Sequence, residues 1–410
     1  MPYTDIRVRH VRSGHGRPGG DYVLYWMQAY RRLESNHALD EALRRADEAG
    51  KPVVYEGLRL DYPWASVRHH RFILEGMQAN REAATRLGLA YWPFVEPERG
   101  AGRGLMARLA ERATLVVTDD FPCFVVPDQT EALARRATVP VIAVDGNTIV
   151  PLARLHGQGP AVTGAAHLRP RIHRDFADAW EHRASAEPRV PRVARSSLSP
   201  PFPPADLGDV DSLLARLPVD RSVPAVARMP GGSVAAGRQL EEFLTRRLAG
   251  YAESRSEPAP PEASRQSGLS PYLHFGHISI ETVVERALST TDRWTPMNLE
   301  PRMAGRAGAR ASTRGTPMSA PSSMRPSRGG ILAITGTGRA GRTRRASSVP
   351  CPRGRSRRWP STQMTSASTS TRRRSGRRGR PTIRCGTRHS GSSWPPVPST
   401  TTCACCGARK

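Results

Sequence analysis

From residue 21 onward, short apolar runs alternate with amphipathic stretches. Residues 22–27 (Tyr-Val-Leu-Tyr-Trp-Met) are apolar throughout and rich in aromatic and β-branched types, which predicts a strand covered on both faces. Residues 52–58, 89–95, 114–118 and 140–144 read as further strands. Between them Asn36 is placed to cap a helix carrying Ala38, Leu39, Ala42 and Leu43. The stretch 67–87 puts Phe72, Ile73, Met77 and Ala84 on or near one helical face, and shorter helices are expected near 104–112 and 129–136. Strand and helix in alternation predict an α/β domain over 21–180, a doubly wound parallel sheet. Residues 1–20 are polar and rich in Gly and Arg, and are expected to be loose.

Downstream the texture changes twice. Over 181–235 Pro, Ser and Arg dominate, which reads as an interdomain linker. Over 236–305 helical periodicity begins again, with Leu240, Phe243, Leu244 and Leu248 in register and Ser279 placed to cap a helix through Ile280, Val283, Val284 and Leu288. This predicts the start of an all-α domain. Between these helices lies Ser-Gly-Leu-Ser-Pro-Tyr-Leu-His-Phe-Gly-His-Ile-Ser, residues 267–279. Ser270 is a good N-cap, Pro271 is already set at helical φ, and Gly268 allows close backbone approach. With the hydroxyls of Ser267 and Ser270 alongside, such a mouth suits a phosphate or pyrophosphate; an ordinary capped helix is the alternative reading.

Charge adds a boundary. The chain has 410 residues, enough for two domains, and a formal net charge of +26. Residues 301–410 hold 24 of the 62 Lys and Arg and none of the 36 Asp and Glu, so 1–300 carries 38 basic against 36 acidic residues and is almost neutral. Cysteine splits in the same way: Cys123 lies in the body, and Cys351, Cys385, Cys403, Cys405 and Cys406 lie in the tail. One body cysteine fits a reducing compartment, and with no apolar run of spanning length and no signal-like start the expectation is a cytoplasmic, monomeric protein without a membrane partner. The basic run 167–174 reads as a solvated helix face, with nucleic-acid contact as the alternative. Asp119 and Asp120 follow a strand, where such sheets bind ligands, although Asp in that place also caps turns.

The 267–279 string closely resembles the flavin-binding signature of the DNA photolyase/cryptochrome family, and Tyr251 with Arg255 matches the Tyr-x-x-x-Arg run ahead of it. Pro-Tyr-Leu-His-Phe-Gly-His-Ile-Ser looks like the class II cyclobutane pyrimidine dimer photolyases, as do residues 22–28, 68–74 and 144–151. The resemblance implies FAD, active in its reduced form, with Tyr251, Ser267, Gly268, Leu269 and Ser270 as contacts. Gly268 stands where many relatives carry Arg or Lys, so no side chain acts there. It further implies light-driven splitting of pyrimidine dimers in DNA, and room for an antenna chromophore whose identity the residues do not specify. No catalytic residue and no metal ligand is assigned. A cryptochrome-like photoreceptor would share the signature.

Residues 306–410 have lost hydrophobic periodicity and are expected to have no fixed fold. A basic nucleic-acid-binding arm is one reading, and Cys403-Ala-Cys-Cys406 as a metal tract is a weaker one, since it lacks a second ligand pair. A displaced reading frame is the third. When 382–409 is back-translated and read from the third base of each codon, suitable codons give DPLWNAAQRELVATGAIHNYLRMLWGK; residues 321–338 at the same offset give FLDEAITWRDIGYHWHW. Both strings resemble the class II catalytic domain. Met324 and Trp394 have single codons, so the G that each contributes is forced. The change of frame falls near 303–310.

Overall fold

The computed structural model describes residues 3–60, 65–156, 165–186, 198–249, 251–254, 259–260 and 264–290. Arg255, the 306–410 tail and its cysteines lie outside the described residues. In chain order the elements are α1 (Tyr3–Arg7), β1 (Val8–Arg12), β2 (Tyr22–Met27), α2 (His37–Ala49), β3 (Pro52–Leu58), α3 (Val67–Leu87), β4 (Ala90–Val95), α4 (Leu105–Arg112), β5 (Ala113–Asp119), α5 (Val126–Arg136), β6 (Val141–Val144), α6 (Leu152–His156), α7 (Ala165–Glu181), α8 (Val210–Arg216), α9 (Ser233–Arg246), α10 (Tyr251–Ser254), α11 (Ser270–His274) and α12 (Ile280–Leu288).

The sheet runs β1-β6-β5-β2-β3-β4, parallel throughout except for β1 against β6. From β2 the chain winds outward through β3 and β4, then returns to lay β5 and β6 on the other side. The switch point therefore lies between β2 and β5. Every residue of β2, β5 and β6 is buried, as expected for strands covered on both faces. Period-two alternation divides β2: Val23, Tyr25 and Met27 pack with Ala38, Leu39, Ala42 and Leu43 of α2, while Tyr22, Leu24 and Trp26 pack with Leu105 and Leu109 of α4 and Leu133 of α5. Asn36 caps α2 as expected, its Oδ1 accepting from the Ala38 and Leu39 amides.

Two expectations are corrected. Residues 1–20 are not simply loose, because they supply α1 and the edge strand β1. The exposed Arg9 and Arg12 on that strand are the charged residues that discourage further edge pairing. Nor is 181–235 only a linker. Leu207, Val210, Leu213, Leu214 and Leu217 sit at helical spacing within the Pro-rich text and bury themselves on Ile73, Leu74 and Met77 of α3. Helix α3 is thus shared: Ala84 faces the sheet core, Ile73, Leu74 and Met77 face α8, and Phe72 joins the core of the helical part with Leu240, Phe243, Tyr272 and Val283. In the basic 167–174 run, which lies inside α7, Ile172 is buried and Arg174 is exposed beside Asp175. Among the described residues no helix is long and apolar enough to cross a membrane.

Candidate functional site

The signature forms a turn, one short helix and a second turn. Ser270 opens α11 rather than capping it: the cap position is Leu269, held at φ −83°, and no side chain caps the helix. The hydroxyl of Ser267 instead accepts from the Leu269 amide at 3.3 Å. Gly268 sits between them at φ +69°, a left-handed backbone that favours glycine. A Cβ there would lie 2.7 Å from Nε2 of Gln239, whose amide donates to the Ser267 carbonyl at 2.8 Å. Gln239, on α9, therefore fixes the turn, and the periodicity of α9 gave no sign of it because the residue lies off the apolar stripe.

Of the residues expected at the site, Leu269 and Tyr251 are buried beneath the turn in one core, with Tyr251 edge-on to Phe243 at 5.0 Å. Ser267 and Gly268 are half-buried and Ser270 is exposed, so these three offer polar surface outward. The turn thus carries two serine hydroxyls, with Gln239 packed close on the Cβ side of Gly268, while α11, at five residues, adds little helix dipole. Gly268→Ala is expected to cost about 1–2 kcal/mol from the left-handed backbone, with the Gln239 contact adding to that. In a Gln239→Ala background the steric part should vanish, which a double-mutant cycle of urea midpoints would measure.

At the other end of α11 the second turn seats the helical part on the sheet. Gly276 has φ +73°, and a Cβ there would lie 1.9 Å from the Ala29 carbonyl oxygen and 2.6 Å from the Arg31 nitrogen. The buried Arg32 donates to the Gly276 carbonyl at 3.1 Å. His277, fully buried, stacks on Phe72 at 4.7 Å, and its Nδ1 accepts from the Gly232 amide at 2.9 Å. Burial, then the charges of Arg31 and Arg32, push this imidazole down to about 3. It is neutral, with the proton on Nε2.

Ser279 caps α12 through the Glu281 amide, as expected. Glu281 is buried and joins separate parts of the chain. Its carboxylate meets Nε2 of His37 at 2.8 Å, Nη2 of Arg7 at 3.5 Å and the Ala184 amide at 3.1 Å. Burial raises this carboxyl, but His37, Arg7 and the amide together hold it below its ordinary value. Neither Arg7 nor Glu281 carries a sequence signal, since each acquires its meaning from a partner far along the chain. A cleft of about 200 Å³ lies here, lined by Arg32, Ser233, Leu240, His277, Ile278 and Thr282. That is below the roughly 300 Å³ expected of a cofactor pocket.

Asp119 and Asp120 take the structural role. Asp119 is 1% exposed and fully engaged, accepting from Tyr25 Oη and from the amides of Gln28, Ala29 and Tyr30. Asp120 forms a two-point pair with Arg9.

No family model matches the chain. Among curated proteins, the deoxyribodipyrimidine photo-lyase of Methanothermobacter thermautotrophicus is 30% identical over 275 residues, covering 67% of this chain and 57% of that relative. The enzyme of the same name from Oryza sativa subsp. japonica is 30% identical over 290 residues, covering 67% and 54%. The chain spans about half the length of the curated relatives it matches. Among solved structures, a bacterial class III photolyase from Agrobacterium tumefaciens aligns with a TM-score of 0.47 at 21% identity, covering 66% of this chain and 54% of that one. The sequence relatives support the photolyase family for this chain.

Proposed function

We propose that this chain derives from a class II DNA photolyase, a light-driven lyase that splits cyclobutane pyrimidine dimers, and that residues beyond about 303–310 are translated out of frame. The observation that carries the reading is the signature turn, where left-handed Gly268 follows Ser267 and Ser270 stands exposed at the start of α11, on a core that includes Tyr251 and Leu269. FAD, when bound, would supply the photoexcited electron that opens the cyclobutane ring. The residues of this chain would do the holding. Ser267, Gly268 and Ser270 would take the phosphates through hydroxyls and close backbone approach. Leu269 and Tyr251 would support that turn from below, and Gln239 would keep its carbonyl turned inward. Extruded damaged bases would meet the cofactor from the side that the later helices close, and in this polypeptide those helices exist only in the displaced frame.

It follows that the chain as written should bind FAD weakly or not at all, since it holds one wall of the pocket. A single-base correction near codons 303–310 should give a protein that copurifies with flavin. That protein should remove thymine dimers from ultraviolet-treated DNA in light and not in darkness. Flavin binding without light-dependent repair would favour a cryptochrome-like photoreceptor. Absence of flavin from the corrected protein would overturn the assignment of Tyr251 and 267–270. Stoichiometric flavin on the uncorrected chain would overturn the frame argument.

A further inference from the structure

In open α/β sheets the crevice at the switch point, beyond the carboxyl ends of the strands, is where ligands bind. Here that place lies between the ends of β2 and β5, and it is filled from within. Oδ2 of Asp119 accepts from three consecutive amides, Gln28 at 2.9 Å, Ala29 at 2.6 Å and Tyr30 at 2.8 Å, while Oδ1 accepts from Tyr25 Oη at 2.7 Å. Consecutive amides converging on one point form the concavity that elsewhere receives a ligand anion. In this chain the anion is a side chain of the protein.

The backbone held in this way continues directly into the helical part. Ala29, Tyr30 and Arg31 form the surface against which Gly276 lies with no room for a Cβ. The same loop is tied further along: Tyr30 Oη accepts from the Gly146 amide, Asn36 Nδ2 donates to the carbonyls of Tyr30 and Arg32, and Arg32 reaches the Gly276 carbonyl. Gly276 is two residues beyond the end of α11, and the Ser267–Ser270 turn is at the start of that helix. Five helical residues span about 8 Å, so α11 acts as one short rigid link between seat and turn.

We propose that Asp119 is a positioning residue for the 267–270 turn. The switch point has become a clamp between the two parts of the molecule instead of a ligand crevice, and the carboxylate at its centre sets where the signature stands relative to the sheet. The description of that turn as a phosphate mouth rests on the proposed function; the clamp itself does not.

The test uses the full chain and hydrogen exchange read by mass spectrometry, with no flavin present. Asp119→Asn turns an NH2 toward the three amides or leaves one oxygen to serve all its former donors. It is expected to speed exchange about tenfold or more in peptides covering 271–283, together with 22–30. Tyr25→Phe removes the hydroxyl and leaves the amide cluster, and should change exchange only within 22–30 and 113–119. Acceleration confined to the sheet peptides in the Asn variant, or the same spread in both variants, would overturn the proposal. If Asp119→Asn does not fold, the unmodified chain in a urea series supplies the answer. Amides of 28–30 and of 273–277 should then open as one unit with one denaturant dependence, and separate dependences would overturn the clamp. FAD titration of the corrected protein separates the two claims: coupled exchange with no flavin binding would sink the phosphate reading alone.

Discussion

Replacing Gly276 by alanine is expected to destabilise the protein by roughly 3–5 kcal/mol, combining left-handed strain with forced displacement of packed backbone. The added Cβ would stand 1.9 Å from the Ala29 carbonyl oxygen and 2.8 Å from the Tyr30 Cα. Neither is the end of a flexible side chain, so relief requires the second turn and the 29–31 loop to part. A loss of that size is a large share of the roughly 5–15 kcal/mol by which domains are stable. Gly19→Ala is the matched control, because Gly19 has a similar φ of +75° and nothing within 4 Å of the added atom. It should cost only about 1–2 kcal/mol, the strain alone. Urea unfolding of both variants decides the matter, and equal losses would mean that the seat of Gly276 on the loop carries no energy.

The second large effect is on acid stability. His277 is fully buried and neutral, pushed down to about 3 by burial and then by the Arg31 and Arg32 charges, against an ordinary value of 6.5. Between those values the unfolded chain takes up a proton that the folded chain refuses. Its contribution is therefore complete above 6.5 and declines as pH falls toward 3. One such proton gives a slope of about 1.4 kcal/mol per pH unit, and thus on the order of 5 kcal/mol across the window. His70, also lowered mainly by burial, adds a slope of the same sign. Glu281 and Glu41, whose carboxyls are held below their ordinary value of 4.5, add theirs only at lower pH. Asp119, raised by burial, slopes the other way. The contribution of His277 is isolated by difference. His277→Gln keeps an acceptor for the Gly232 amide and should flatten the stability profile between pH 6.5 and 4.5 by about one proton. An unchanged slope would mean that His277 takes up its proton in the folded state.

Local chemistry in the sequence determined the elements whose causes are local. Asn36 and Ser279 cap the helices they precede, because a cap depends on amides two or three residues away. The apolar run 22–27 became a central strand because every one of its side chains is buried on one face or the other. Alternation of strand and helix set the doubly wound sheet, and the 267–279 string marked the candidate site. Tertiary structure decided what depends on distant partners. Residues 8–12 are a strand only because β6 offers a free edge, and 207–217 fold onto α3 because α3 presents Ile73, Leu74 and Met77 there. Ser270 has the chemistry of a cap, yet it opens α11 without capping it, and the bond at this turn is the one Ser267 accepts from the Leu269 amide across left-handed Gly268. Asp119 read equally as ligand contact or turn cap, and the three amides that converge on it settled its role. Gln239, Gly276, His277 and Glu281 carry no periodic signal. Each is defined by close contacts across the fold, and such contacts exist only once burial has brought distant segments together.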